Sequence, residues 1–154
     1  MDHRIVDLHV HSTESDGTLT PEDLVAEAKK VGLAAFALTD HDTCQGVCKA
    51  MPCAASAGIE LIPGIELSTD YHGKEVHIVG LYIDMENEQL LKKTAEYRKC
   101  RSERNALMVE ALQKEGLSIT MEELVAENPD CVITRANICL LYTSPSPRDK
   151  RQSR

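Results

Sequence analysis

The sequence predicts an α/β fold built around a parallel sheet or barrel. Two observations support this fold class. Short apolar runs alternate with amphipathic segments over the first 84 residues, in the order strand, helix, strand, helix, strand. Histidine, aspartate and glutamate side chains also come at the ends of successive predicted strands, which is where chemistry gathers in parallel sheets and barrels.

The first predicted strand covers residues 4–10, because apolar and polar side chains alternate along it. A polar loop at residues 12–17 follows. Thr20 and Pro21 predict the start of a helix, since threonine suits the capping position and proline the first helical position. The strand has two faces: Val6, Leu8 and Val10 share the apolar one, and Asp7, His9 and His11 share the polar one.

Three further strands are predicted before residue 84. An apolar run at 33–39 indicates a buried strand, and a helix over 45–56 follows it, although Pro52 disfavours its later part. Residues 59–65 form the third predicted strand, with Glu66 at its end. Residues 75–83 form the fourth, which carries His77, after a turn at 70–73.

The character of the chain changes after residue 84. Residues 88–115 predict a long charged helix, and Thr120 with Glu123 predicts a capping box for a helix that reaches residue 127. We therefore divide the chain into a partial barrel at 1–84 and a helical insertion at 85–139. Residues 140–154 are basic and poor in apolar side chains, so we expect a disordered tail, and we interpret it as non-native read-through.

Composition and charge exclude several classes of protein. The net charge of −8 argues against an extended nucleic-acid surface, but a small anionic substrate remains compatible if cations bind. The sequence has no apolar run of about eighteen residues, so no membrane span is expected. The first residues lack the pattern of a signal peptide, so the expected location is cytoplasmic.

The six cysteines form no Cys-x-x-Cys pair. Cys44 and Cys48 are four residues apart and could share a helix face and a metal ion. We favour small buried thiols as the simpler interpretation.

His9 and His11 project to the same side of the first predicted strand and would suit Zn, Mn or Fe. By itself this pair is weak evidence, because without further context a solvated strand face is the favoured explanation. The other candidates come at or near later strand ends, where they would converge on one rim, and such a cluster is costly unless cations bind it. The predicted metal ligands are His9, His11, Asp16, His41, Glu66 and His77.

These residues stand in motifs that resemble those of the polymerase-and-histidinol-phosphatase (PHP) superfamily, and most closely its stand-alone phosphoesterases. The motifs, in order, are Asp7-Leu8-His9-Val10-His11-Ser12, Ser15-Asp16-Gly17, Thr39-Asp40-His41-Asp42, Pro63-Gly64-Ile65-Glu66 and Val76-His77. The resemblance implies the N-terminal part of a distorted (β/α)7 barrel, followed by a helical insertion.

The resemblance also implies two or three divalent ions, of Mn, Zn or Fe. His9 and His11 would bind the first ion, Glu66 would bridge the first and second, and His77 would bind the second. Asp16 and His41 would bind the third ion.

Roles beyond metal binding follow from the same motifs. The catalytic candidates are Asp40 and His41; Asp40 would orient a ligand, although a loop carboxylate is an equal alternative. Arg104 and Arg135 are the candidate substrate-binding residues, and Arg101 is a further possibility. For each arginine taken singly, a solvated helix face is the favoured explanation.

The implied activity is hydrolysis of phosphate esters of nucleotides, nucleoside bisphosphates or short oligoribonucleotides. A PHP domain of a DNA polymerase and an amidohydrolase-type metal hydrolase are the catalytic alternatives. Two later motifs of the superfamily, an Ala-His-Pro-type histidine and an Asp-x-His, do not occur in this sequence. We therefore expect an N-terminal fragment that exposes strand edges and apolar faces and has little turnover of its own.

Overall fold

The structure, a computed structural model, describes residues 5–143. It has a four-stranded sheet with two intervening helices, followed by three more helices, which is a mixed α/β arrangement consistent with part of a barrel. The elements are β1 (Ile5–Val10), α1 (Pro21–Lys30), β2 (Leu33–Leu38), α2 (Gln45–Ala57), β3 (Glu60–Tyr71), β4 (Lys74–Leu81), α3 (Glu88–Lys114), α4 (Met121–Glu127) and α5 (Arg135–Thr143).

Local signals set the helix boundaries as the sequence predicts. The Thr20 hydroxyl accepts a hydrogen bond from the Asp23 amide at 3.1 Å, and Pro21 opens α1. In α4, Thr120 and Glu123 form the expected reciprocal capping box. Helix α2 continues through Pro52 to Ala57, because its buried face packs into the core and offsets the lost backbone hydrogen bond.

The sheet has the order β1-β2-β3-β4, and only its first three strands are parallel. The expectation of a wholly parallel sheet is wrong for β4, which pairs with β3 in antiparallel fashion. The reason lies in the connection: His72 and Gly73 have φ of +52° and +75°, which suits a two-residue hairpin turn. A parallel crossover needs about a dozen residues or more.

The same hairpin corrects the position of Glu66. Strand β3 extends to Tyr71, so Glu66 lies within the strand rather than at its end. The main core lies between the sheet and the helices α1 and α2, and it includes Phe36, Leu38 and Val47.

The outer strands of the sheet expose apolar side chains. On β1, Val6 is 51% exposed and Leu8 is 42% exposed, and on β4 Ile78 is 52% exposed. The apolar face predicted for β1 is therefore only partly covered, and the expected exposure of strand edges and apolar faces is confirmed for these residues.

The three C-terminal helices pack around a second, smaller apolar cluster. Its buried members are Val109, Ile119, Leu124 and Ile138. Helix α5 was not predicted; it runs to Thr143 and so includes residues 140–143 of the predicted tail. The rest of the predicted tail, residues 144–154, lies outside the described residues, and the division at residues 84 and 139 stays a prediction.

Among the described residues, no helix combines the length and the apolar character needed to cross a membrane.

Candidate metal centre

The sheet brings the predicted ligands to one place from five separate segments. His9 lies on β1, with His11 just after the strand, and Asp16 lies in the following loop. His41 follows β2 and pairs as a parallel bridge with Glu66 on β3. His77 comes from the antiparallel strand β4, so the cluster needs the hairpin as well as the parallel strands.

Glu66 is the common partner of the four histidines among the predicted ligands. One oxygen, Oε2, lies 2.7 Å from His9 Nε2, 2.9 Å from His11 Nε2 and 3.8 Å from His41 Nδ1. The other, Oε1, lies 2.6 Å from His77 Nδ1. The Glu66 side chain is 7% exposed, so this carboxylate faces imidazoles rather than solvent.

Asp16 is a second carboxylate that contacts two of the histidines. Its two oxygens lie 3.1 Å from His11 Nδ1 and 3.4 Å from His41 Nε2. His11 and His41 therefore each lie between the Glu66 carboxylate and the Asp16 carboxylate.

The donor set suits divalent cations. Three triplets each have ligand atoms within 4.8 Å of one another: His9, His11 and Glu66; His11, Asp16 and His41; and His41, Glu66 and His77. His41 Nδ1 is buried and has no hydrogen-bond partner among the described residues. A buried polar atom without a partner is costly, and a cation held with Glu66 and His77 would satisfy it.

The electrostatics of the centre favour charged carboxylates. Burial alone would raise the pKa of Asp16 and of Glu66, but the surrounding imidazoles outweigh it and lower both pKa values. Burial opposes protonation of His11, yet the hydrogen bond and charge of Asp16, with Glu66 and Asp40, raise its pKa.

Asp40 does not join the cluster. It is 1% exposed, and its Oδ1 accepts hydrogen bonds from the Ser12 amide and the Ser15 hydroxyl, both at 2.7 Å. Its Oδ2 accepts one from the Ser12 hydroxyl, also at 2.7 Å. The carboxylate therefore holds the loop that carries Asp16, which corresponds to the loop-carboxylate alternative and not to a group that faces a ligand.

Arg101 is likewise occupied inside the protein. It is 7% exposed, and its Nε and Nη2 donate to Asp42 Oδ2 at 3.1 and 2.8 Å. Its Nη2 also donates to the Ser68 hydroxyl. Arg101 therefore anchors α3 to the loop after β2, and its guanidinium group is already paired with Asp42 where it lines the neighbouring cavity.

Arg104 and Arg135 line a cavity of about 140 Å³ that Asp16, His41 and His77 also line. Both arginines contact the same residue, Glu75, which the sequence reasoning missed. One signal was available: Glu75 is two residues before His77, so both project from the same face of β4.

No cysteine belongs to the metal-binding triplets found among the described residues. Cys44 is buried, and its burial and the nearby Cys48 raise its pKa to about 11, which disfavours the thiolate that binds metals. Cys48, Cys100 and Cys139 are exposed, so the expectation of buried thiols is wrong for these three.

Comparisons with known proteins agree with this architecture. The chain is 39% identical over 120 residues to the 5'-3' exoribonuclease Rnm of Escherichia coli, covering 77% of this chain and 41% of that protein. It is 36% identical over 129 residues to the 3',5'-nucleoside bisphosphate phosphatase of Chromobacterium violaceum, covering 82% of this chain and 45% of that protein. The chain thus spans less than half the length of these curated relatives.

A solved structure from Bifidobacterium adolescentis, of a protein assigned as a metal-dependent phosphoesterase, superposes with a TM-score of 0.80 at 33% identity. The match covers 88% of this chain and 48% of that one. The family model of the PHP domain matches residues 7–130, which is most of the sequence. With four histidines and two acids converging on the strands that carry the matched motifs, the chain belongs to the PHP domain family.

Proposed function

We propose that this protein is a metal-dependent phosphoesterase that hydrolyses phosphate esters of nucleotides, nucleoside bisphosphates or short oligoribonucleotides. One observation carries the proposal: four imidazoles and two carboxylates converge beside a cavity that three arginines line, two of which, Arg104 and Arg135, contact Glu75. Cations held by the imidazoles and carboxylates would attract a phosphate group, and so would the guanidinium groups of the arginines.

The three triplets are the residues that would hold two or three ions, with Glu66, His11 and His41 each shared between two triplets. Divalent ions at such a site lower the pKa of water and neutralise charge on phosphoryl oxygens. The mixed imidazole and carboxylate donors favour Mn, Zn or Fe over an all-oxygen magnesium site.

The protein's own groups would orient this chemistry. Glu66 fixes the relative positions of the four rings, since its two oxygens contact all of them. His41 is the remaining catalytic candidate at the centre, because its unpartnered Nδ1 is buried there. Asp40 acts as a positioning residue through Ser12 and Ser15.

Arg104 and Arg135 are the proposed phosphate-binding residues of the cavity. A guanidinium group offers several N–H donors in a plane that matches phosphate oxygens. Arg104 comes from α3 and Arg135 from the start of α5, so the helical part of the chain supplies the substrate contacts and the sheet supplies the ligands.

The substrate class rests on the relatives. One is named as an exoribonuclease and one as a nucleoside bisphosphate phosphatase, and both names describe cleavage of phosphate esters on nucleotides. The net charge of −8 supports a small substrate held at the metal centre rather than a long nucleic acid held by a basic surface.

Release of inorganic phosphate from a phosphomonoester, or of a nucleoside monophosphate from an oligoribonucleotide, tests the proposal. The chain is loaded with Mn, Zn or Fe and mixed with a nucleoside 3',5'-bisphosphate, a nucleoside 5'-monophosphate, or a short 5'-phosphorylated oligoribonucleotide. Because slow turnover is expected, single-turnover conditions with protein in excess are used. Metal-dependent cleavage of at least one substrate, lost in Asp16→Asn, is expected.

Two outcomes contradict the proposal. One is the absence of any cleavage when calorimetry shows bound ions. The other is hydrolysis of a cyclic amide without cleavage of phosphate esters, which would favour the amidohydrolase alternative.

A further inference from the structure

Glu75 connects the metal centre to Arg104 and Arg135, two of the three arginines that line the cavity. Its Oε1 lies 3.1 Å from His77 Nε2 and 3.4 Å from Arg104 Nη1, and its Oε2 contacts Arg135 Nη2. The other ring nitrogen of His77 lies 2.6 Å from Glu66. Glu75 therefore contacts one of the candidate ligands directly, and the His77 ring alone lies between Glu75 and Glu66.

The two arginines come from separate parts of the chain but meet at one carboxylate. Their side chains are 31% and 56% exposed, and that of Glu75 is 30% exposed, so solvent and small solutes can reach all three groups. Arg135 also begins α5, whose first turn lines the same cavity and adds the positive end of a helix dipole.

The positive charge of this pair is only partly neutralised. Arg104 Nε is buried without a hydrogen-bond partner among the described residues, although its Nη2 donates to Asn105 Oδ1 at 3.0 Å. Burial and the neighbouring Arg101 lower the pKa of Arg104, so its charged form lacks sufficient compensation. Asp42 already neutralises Arg101. The single negative charge of Glu75 thus faces the two positive charges of Arg104 and Arg135.

We propose that Glu75 is a displaceable occupant of an anion site formed by Arg104 and Arg135, and that it makes the site selective for doubly charged phosphate groups. A phosphate dianion matches the two guanidinium charges, whereas a singly charged anion only replaces Glu75 with an equal charge. Glu75 would then rotate away from the arginines while its contact with His77 remains available. This inference rests on the proposed function.

A purely structural ion pair is the alternative. Solvent-accessible ion pairs contribute little to stability, so stability alone does not explain this arrangement. A fixed carboxylate in this cavity would also repel the phosphate groups that the arginines attract. Displacement resolves this conflict, because the carboxylate leaves only when a more highly charged group arrives.

Binding of inorganic phosphate to the metal-free chain at pH 8, measured by calorimetry, tests the inference. In Glu75→Gln the competing charge is absent, so phosphate should bind roughly three- to tenfold more tightly than to the unsubstituted chain. The affinity for nitrate, which carries one charge, should rise by at least the same factor in Glu75→Gln. The ratio of phosphate affinity to nitrate affinity should therefore be smaller in the variant than in the unsubstituted chain.

Two further variants make the result specific. Glu60→Gln removes the same charge from an exposed position on β3 and should leave phosphate affinity unchanged. Arg135→Gln should weaken phosphate binding. In the double variant, Glu75→Gln should no longer increase the phosphate affinity. Circular dichroism and the unfolding midpoint establish that each variant is folded.

Unchanged or weaker phosphate binding by a folded Glu75→Gln variant would overturn the inference. So would a gain of equal size in Glu60→Gln, which would indicate a general charge effect. Because the measurement uses no metal and no hydrolysis, it is separate from the test of activity. An inactive protein whose Glu75→Gln variant binds phosphate more tightly would contradict the proposed function alone.

Discussion

At the scale of single residues, Glu66 has the largest set of functional contacts. Its two oxygens lie within 2.6 to 3.8 Å of a nitrogen from each of four histidines. This arrangement is expensive without cations, because the carboxylate is buried and the rings are crowded. A role for Glu66 as a shared ligand explains why such a group is placed inside the site.

Replacing Glu66 with glutamine should weaken metal binding by at least about a hundredfold, since loss of a partner outside the ligand shell already costs 10–100-fold. The amide keeps the size of the side chain but loses the charge and one acceptor oxygen. Calorimetric titration with Mn or Zn measures the affinity and the number of ions bound. Glu60→Gln serves as the control, and an unchanged affinity in Glu66→Gln would mean that Glu66 is not a ligand.

At the scale of elements, buried contacts between segments hold the loops of the site. Helix α3 is attached to the loop after β2 through Arg101 and Asp42, and Arg98 also donates to the Asp42 carbonyl oxygen at 2.7 Å. Asp42 adopts φ of +53°, an unusual backbone region that this network maintains directly beside His41.

Substitution of Arg101 by methionine should lower the free energy of unfolding by about 3–5 kcal/mol, because Asp42 is left charged and buried without its partner. Urea unfolding measures the change. Lys99→Met, at an exposed position of the same helix, should change the stability by less than about 0.5 kcal/mol.

A double-mutant cycle identifies the partner in this network. Asp42→Asn combined with Arg101→Met should cost less than the sum of the two single substitutions, because neither unpaired charge remains. Additive effects would show that the two side chains do not stabilise each other.

Gly46 in α2 provides a second test at this scale, because a Cβ atom there would lie 2.2 Å from Asp40 Oδ2 and 2.9 Å from Ser12 Oγ. Gly46→Ala should lower the free energy of unfolding by about 1–3 kcal/mol, despite a gain of about 1 kcal/mol in helix propensity. Metal affinity should fall too, since Asp40 holds the loop of Asp16.

Urea unfolding and metal titration of this variant provide the readouts. Ala55→Val, at an exposed position of α2, is the control. A more stable Gly46→Ala variant with normal metal affinity would show that Asp40 can move away without consequence.

At the scale of the whole molecule, the metal centre joins both parts of the sheet. Its ligands come from β1, from β3, from β4 and from the loops after β1 and β2, so bound ions would crosslink segments that are distant in sequence. Ions that bind only the folded state stabilise it by mass action. Stability should therefore depend on metal concentration.

Addition of Mn or Zn at about one hundred times the dissociation constant should raise the thermal midpoint by roughly 5–10 °C, from about 2.7 kcal/mol of added stability. A chelator should reverse the shift, and Glu66→Gln should show little of it. Differential scanning fluorimetry measures the midpoint. An identical midpoint with and without metal would argue against ion binding by the folded chain.

How far the sequence predicted each feature follows from the range of the interactions involved. The starts of α1 and α4 could be predicted from the sequence, because their capping interactions act within one helical turn. These interactions involve Thr20 and Pro21 in α1, and Thr120 and Glu123 in α4. The six candidate ligands could be proposed from the sequence because each stands in a recognisable motif, and the structure brings their side chains together. The direction of β4 was missed even though the turn at residues 70–73 was predicted, because the turn was not used to orient the strand.

The sequence by itself determined the α/β class, the approximate bounds of α1 to α4 and the identity of the ligand candidates, because these depend on local patterns of polarity and on short motifs. Only the tertiary structure decided which polar groups meet. In the folded chain Arg101 pairs with Asp42, and Asp40 accepts hydrogen bonds from Ser12 and Ser15. Glu75 lies between Arg104 and Arg135. These partners are separated by 25 to 60 residues, and distances of that kind depend on how the strands and helices pack rather than on any local pattern.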